Sequence, residues 1–181
     1  MFAQLREMFD ELRKIPHPKP GTICAASLDK LAIYDHRLLC GSFGIGPFEK
    51  EADFNFVLRG GLHSSTPPRS LDLEKLISMQ SEKSHPIVFT HGDAKPPNIM
   101  VKRARLGRFG FGKIKVVALI DFEMSGFFPD YWEYVQAMDC NSRMRYWAAE
   151  VEKFLDKHPR ELEMDAIRLK YFGTFGGAFQ N

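Results

Sequence analysis

An α+β fold, mostly helical with short β-hairpins, is predicted by three features of the sequence. Apolar residues recur at three- and four-residue steps in Phe2, Leu5, Met8, Phe9 and Leu12, in Leu73, Leu76 and Ile77, and in Met144, Trp147, Val151 and Phe154, a spacing that lines one face of a helix. Short apolar runs, Ile87-Val88-Phe89, Ile99-Met100-Val101 and residues 115–120, read instead as strands. Between the first two runs lies a polar cluster, His91, Asp93 and Asn98, and the chain is organised around residues 87–122. With 181 residues, 44% of them hydrophobic, it can bury one sizeable core and is read as a single domain over residues 1–181.

Taken in order, the first helix ends at a connector carrying Pro16, Pro18 and Pro20, where proline removes backbone donors and favours extended chain. Residues 22–26 and 31–34 are expected to pair as a short hairpin. Residues 40–47 form a glycine-rich loop without the Lys-Ser/Thr of a phosphate loop. A helix is expected over residues 48–58 with Gly60-Gly61 as its stop, then a surface loop over 62–69, then a helix capped by Ser70. Residues 107–113 match the first seven positions of a Walker A loop, but Ile114 stands where the Mg²⁺-binding hydroxyl belongs. They read as a glycine-rich turn joining strands 99–102 and 114–120.

Residues 124–129 read as loop, and Asp130 and Glu133 as the capping pair of a helix through Met138, with Tyr131, Tyr134, Val135 and Met138 as its buried face. A further helical segment ends near His158-Pro159, and a last one carries Leu162, Ala166, Ile167 and Tyr171. Residues 172–181, rich in Gly and Phe, are expected to fray.

The net charge is +2 from 25 basic and 23 acidic residues, so no global field favours nucleic acid or an anionic membrane. No apolar run reaches the roughly 18 residues a membrane span needs, and residues 1–12 carry too many charges for a signal peptide. Cys24, Cys40 and Cys140 are odd in number, with no C-x-x-C, which suits a reducing compartment. A cytoplasmic protein without nucleic-acid or membrane partners is the expectation.

His91-Gly92-Asp93 and Asn98 have the H-x-D-x-x-x-x-N spacing of a phosphoryl-transfer loop, in which Asp accepts the proton of the attacking hydroxyl and Asn holds a metal ion. Asp121, at the end of the run 115–120, is of the type that supplies a second oxygen ligand. Phosphoryl transfer asks little covalent work of a protein, so one base and two Mg²⁺ ligands placed around the phosphates carry much of the chemistry. Taken singly, Asp93 reads as a turn former, Asn98 as a turn cap and Asp121 as a strand end. Their joint spacing argues for the chemistry.

At these residues the chain resembles the aminoglycoside phosphotransferase and choline kinase branch of the protein-kinase-like fold, whose loop has Gly at the position of Gly92. The likeness is closest to fungal members. Ile120-Asp121-Phe122-Glu123, Gly126, Pro129 and Trp132-Glu133-Tyr134 follow their metal-binding segment, and it extends upstream through Tyr34-Asp35-His36-Arg37-Leu38, Gly46-Pro47-Phe48 and Glu51-Ala52-Asp53-Phe54. It covers residues 1–146 and implies the large C-terminal lobe of a kinase-like fold, with the small ATP-holding lobe expected ahead of it absent.

The resemblance also implies an enzyme that moves the γ-phosphoryl group of ATP to a hydroxyl of a small molecule. Asp93 would be the catalytic base, Asn98 and Asp121 the Mg²⁺ ligands, and Lys95, Met100 and Ile120 contacts for ATP. Lys95 reads equally as a solvated surface lysine, Met100 and Ile120 equally as core, and Glu123 as an organiser of Mg²⁺ or a partner of nearby backbone. His91 reads as structural. The alternative is a non-catalytic kinase-like lobe that at most binds a ligand or a partner.

Overall fold

The computed structural model describes residues 1–27, 31–38, 44–63, 70–106, 110–139 and 144–173. Along them run α1 (Phe2–Leu12), β1 (Cys24–Ala25), α2 (Glu51–Leu58), α3 (Leu71–Glu82), β2 (Ile87–Thr90), β3 (Ile99–Leu106), β4 (Gly110–Leu119), β5 (Gly126–Pro129), α4 (Trp132–Met138), α5 (Arg145–Val151) and α6 (Pro159–Phe172). The fold is α+β: an antiparallel sheet in the order β1-β5-β2 and a separate ribbon β3-β4 sit among the helices.

Helix α1 follows its periodicity, burying Leu5 and Phe9 while Phe2, Met8 and Leu12 pack at the margin of the core. Phe9 and Phe2 meet Phe154 at ring distances of 5.5 and 6.2 Å. Gln4 accepts a 3.0 Å hydrogen bond from the Val116 N–H, so α1 also braces β4. Ser70 caps α3 as read, accepting from the Leu73 N–H at 3.3 Å. Residues 132–137 of α4 are all buried, as a helix in the middle of a core must be. There Trp132 stacks on Phe128 at 5.6 Å and meets Phe54 edge-on at 5.3 Å. Truncating a side chain buried this fully costs about 3–5 kcal/mol.

Several expectations are corrected. Residues 22–26 and 31–34 do not form a hairpin ladder. β1 pairs instead with β5, Cys24 opposite Phe127 and Ala25 opposite Gly126, and Ile33 bridges to Ile45. The Ala25 N–H donates to the Leu31 carbonyl at 3.0 Å between the two segments. Long-range burial of Cys24 and Phe127 on one small cluster outweighs the local turn. The α2 helix starts at Glu51 rather than residue 48, because Phe48 bridges to Ile23. Residues 126–129, read as loop, are β5, every one buried.

The two strands of the ribbon are longer than expected. β3 runs on to Leu106 and β4 begins at Gly110, with bulges between Met100 and Val101 and between Arg103 and Arg105. α5 ends at Val151, and Pro159 opens α6, where a proline at the first turn leaves no helical bond unmade. Phe172 is still helical and packs against the core. Cys24 is free and buried. Cys40, Cys140, residues 64–69 and most of the tail lie outside the described residues, and no described helix is long and apolar enough to cross a membrane.

Candidate active site

β2 carries the polar cluster out of the core. After Thr90, the chain turns through His91, Gly92 and Asp93, makes a 3-10 turn over Pro96–Asn98 and enters β3. Gly92 sits at φ +81°, and a Cβ there would lie 2.5 Å from the Met124 carbonyl oxygen, so only glycine fits this turn. The buried Glu133 carboxylate accepts from the N–H of His91 at 2.6 Å and of Gly92 at 3.2 Å. Burial pushes its pKa up to about 7, against the downward pull of those two N–H groups.

His91 is 1% exposed, its ring tilted on Phe122 at 4.5 Å. The Asp93 N–H donates to its Nδ1 at 3.2 Å, which leaves Nε2 as the protonated nitrogen that donates to the Ile120 carbonyl at 3.0 Å. Burial lowers the His91 pKa, while Asp93 and Asp121 both pull it up to a smaller extent. The neutral ring ties the loop to the end of β4, a structural part.

Asn98 donates through Nδ2 to the Asp93 carbonyl at 3.0 Å and to Asp93 Oδ2 at 2.8 Å. The other carboxylate oxygen, Oδ1, faces Lys95 Nζ at 3.1 Å. On the backbone side, the Ile120 N–H donates to the Asn98 carbonyl at 3.0 Å. Both peptide groups of Ile120 are thus held by the loop, its N–H by Asn98 and its carbonyl by His91. Asp121, the next residue, takes φ +67°, the one described non-glycine residue in the left-handed region, a strain of about 1–3 kcal/mol that gathers at functional sites.

The Asp121 carboxylate is exposed and makes no hydrogen bond or ion pair among the described residues, and no described donor reaches the Asn98 side-chain oxygen. Two hard oxygen donors on adjacent segments suit Mg²⁺, which is commonly held by one or two protein oxygens with water and phosphate completing the shell. No larger group of His, Cys, Asp or Glu gathers for a metal among the described residues. Met100 and Ile120 are 50% and 40% exposed, so core packing does not account for them. A cleft of about 310 Å³ opens beside this segment, with Tyr34, Phe122 and Glu123 among its lining.

Three residues that hold this loop are given no part in the site by the sequence reading. Glu133 has the spacing of a capping partner, but α4 has no side-chain cap bond, and the carboxylate turns to the loop instead. Trp147, read as one more apolar position, donates Nε1–H to the Ala94 carbonyl at 2.8 Å. Arg37 donates to the Gly92 carbonyl at 2.7 Å across 55 positions of sequence. In the sequence Arg37 stands only as part of the Tyr34-Asp35-His36-Arg37-Leu38 segment of the family likeness, with no role attached.

No curated protein and no solved structure matches the chain. A family model does, across residues 17–163, which includes the 91–98 loop, Asp121 and α4. The match spans most of the sequence and contains both segments that Ile120 ties together. The chain belongs to the phosphotransferase enzyme family.

Proposed function

We propose that this chain carries the catalytic face of a phosphotransferase that moves the γ-phosphoryl group of ATP to a hydroxyl of a small molecule. The observation that supports the reading is the double grip on Ile120, which ties the Asp93–Asn98 loop to the residue before Asp121. Asp93 accepts the hydroxyl proton as the acceptor oxygen bonds to the γ-phosphorus, and the bond to the β,γ-bridging oxygen breaks with its electron pair leaving on ADP. Asn98 and Asp121 would hold Mg²⁺, which supplies charge neutralisation at the phosphates. Lys95 turns from Asp93 to the phosphates, and the exposed Met100 and Ile120 offer an apolar floor for adenine. The cleft beside Phe122 and Glu123 is the size of a small molecule.

Calorimetric titration of Mg²⁺-ATP into the purified chain tests this. Binding that Asp121→Ala weakens roughly ten- to a hundredfold supports the reading. A folded wild type that takes up no heat from Mg²⁺-ATP sinks it for this chain.

A further inference from the structure

Arg37 is a buried cation that reaches the loop with one of its donor nitrogens unpartnered among the described residues. Its guanidinium forks onto Asp35, Nε to Oδ1 at 2.9 Å and one terminal nitrogen to Oδ2 at 2.6 Å. That terminal nitrogen also donates to the Gly92 carbonyl at 2.7 Å. The Arg37 N–H closes the unit on Asp35 Oδ1 at 2.9 Å. With the Arg37 side chain 8% exposed and that of Asp35 1% exposed, the pair is sealed from solvent. Burial works against the Arg37 charge, and the Asp35 carboxylate more than offsets it.

The second terminal nitrogen, Nη1, is buried without a hydrogen-bond partner among the described residues. It points at Asp93 and stops 3.9 Å from Oδ1, about 1 Å beyond a charged hydrogen bond. A buried donor left unmade is costly, so its retention here asks for an explanation. Asp93 Oδ1 meanwhile carries the Lys95 ammonium at 3.1 Å. One carboxylate oxygen thus faces two cations, one on a flexible and partly exposed stem, the other locked in a buried fork.

We infer that Arg37 is a positioning residue for Asp93. Through the Gly92 carbonyl it fixes the peptide that leads into Asp93, and through Nη1 it takes over Oδ1 when Lys95 swings away to an anionic ligand. Asp93 then keeps one orientation, Oδ2 on Asn98 and Oδ1 on Arg37, while Lys95 is released. The takeover rests on the phosphotransfer reading. The anchoring through Gly92 does not.

Arg37→Lys, which keeps the charge but cannot fork, and Arg37→Gln test the two parts. Amide hydrogen exchange over residues 91–98 is expected to quicken about tenfold or more in both variants, with α6 unchanged. In ATP turnover, kcat is expected to fall roughly a hundredfold, the cost of about 1 Å of misplacement, with KM for ATP nearly constant. Unchanged loop exchange in a folded variant overturns the proposal, as does a proportional loss of protection throughout the chain. A wild type with no turnover ends the phosphotransfer reading and the takeover with it, and the exchange result then decides the anchoring alone.

Discussion

Glu133 shows how much one side chain can be asked to do. Its carboxylate is buried beneath the His91-Gly92 turn and caps two backbone N–H groups, and burial raises its pKa from 4.5 to about 7. The folded chain therefore binds a proton more tightly than the unfolded chain between those values. A raised acid stabilises at the low end of this window, and its contribution is lost as pH rises through about 7. The size is about 3 kcal/mol at most. Urea unfolding of wild type and Glu133→Gln from pH 5 to 8 reads it directly, since glutamine has no proton to lose. The wild-type advantage over the variant is expected to shrink across that range, and a difference that stays flat with pH would refute the shifted carboxyl.

At the scale of elements, His85 joins three segments. Its N–H and ring Nδ1 both meet the Glu51 carboxylate of α2 at 2.7 Å, and Nε2 meets Glu161 of α6 at 3.3 Å. Lys83 adds a 3.0 Å ion pair to Glu161. Burial pulls the His85 pKa down, but the bonds with Glu51 and Glu161 raise it above 6.5 overall. A raised histidine stabilises below its unfolded value and loses that contribution as pH rises through the folded one. His85→Ala is expected to cost about 2 kcal/mol at pH 6 and distinctly less at pH 8, measured by denaturant midpoints at the two pH values. Equal costs at both would mean that the ring contributes packing alone.

Across the whole molecule, several apolar side chains of the ribbon and of the segment after it stay exposed: Met100, Val101, Val117, Ile120 and Phe122 are 39–50% exposed. Next to them a hollow of about 450 Å³ lies between Met8 and Leu12 of α1 and Ala118 and Leu119 of β4. Exposed apolar side chains concentrated in one stretch of chain favour contact with another apolar surface. Val101→Thr with Val117→Thr keeps β-branched residues in the ribbon and is expected to leave stability within about 1 kcal/mol of wild type. Light scattering with rising concentration should show the wild type associating and the double variant staying monodisperse. Equal scattering from both would remove these valines from any such contact.

How far the sequence could be read followed from the range of each interaction. The periodic faces of α1 and α3, the Ser70 cap, the approach of β2 and the spacing of Asp93 and Asn98 were all legible, because helical repeats, caps and tight loops are decided within a few residues. What the sequence by itself determined was the α+β class, the family likeness that the family match upholds, and the candidate residues Asp93, Asn98 and Asp121. Only the tertiary structure decided that β1 joins β5 rather than its own neighbour, that Glu133 turns from a cap to a loop clamp, and that Arg37 and Trp147 reach the same loop. Those contacts span 41 to 103 positions, and what selects them is burial of shared apolar surface and the need to satisfy buried polar groups, which no local pattern records.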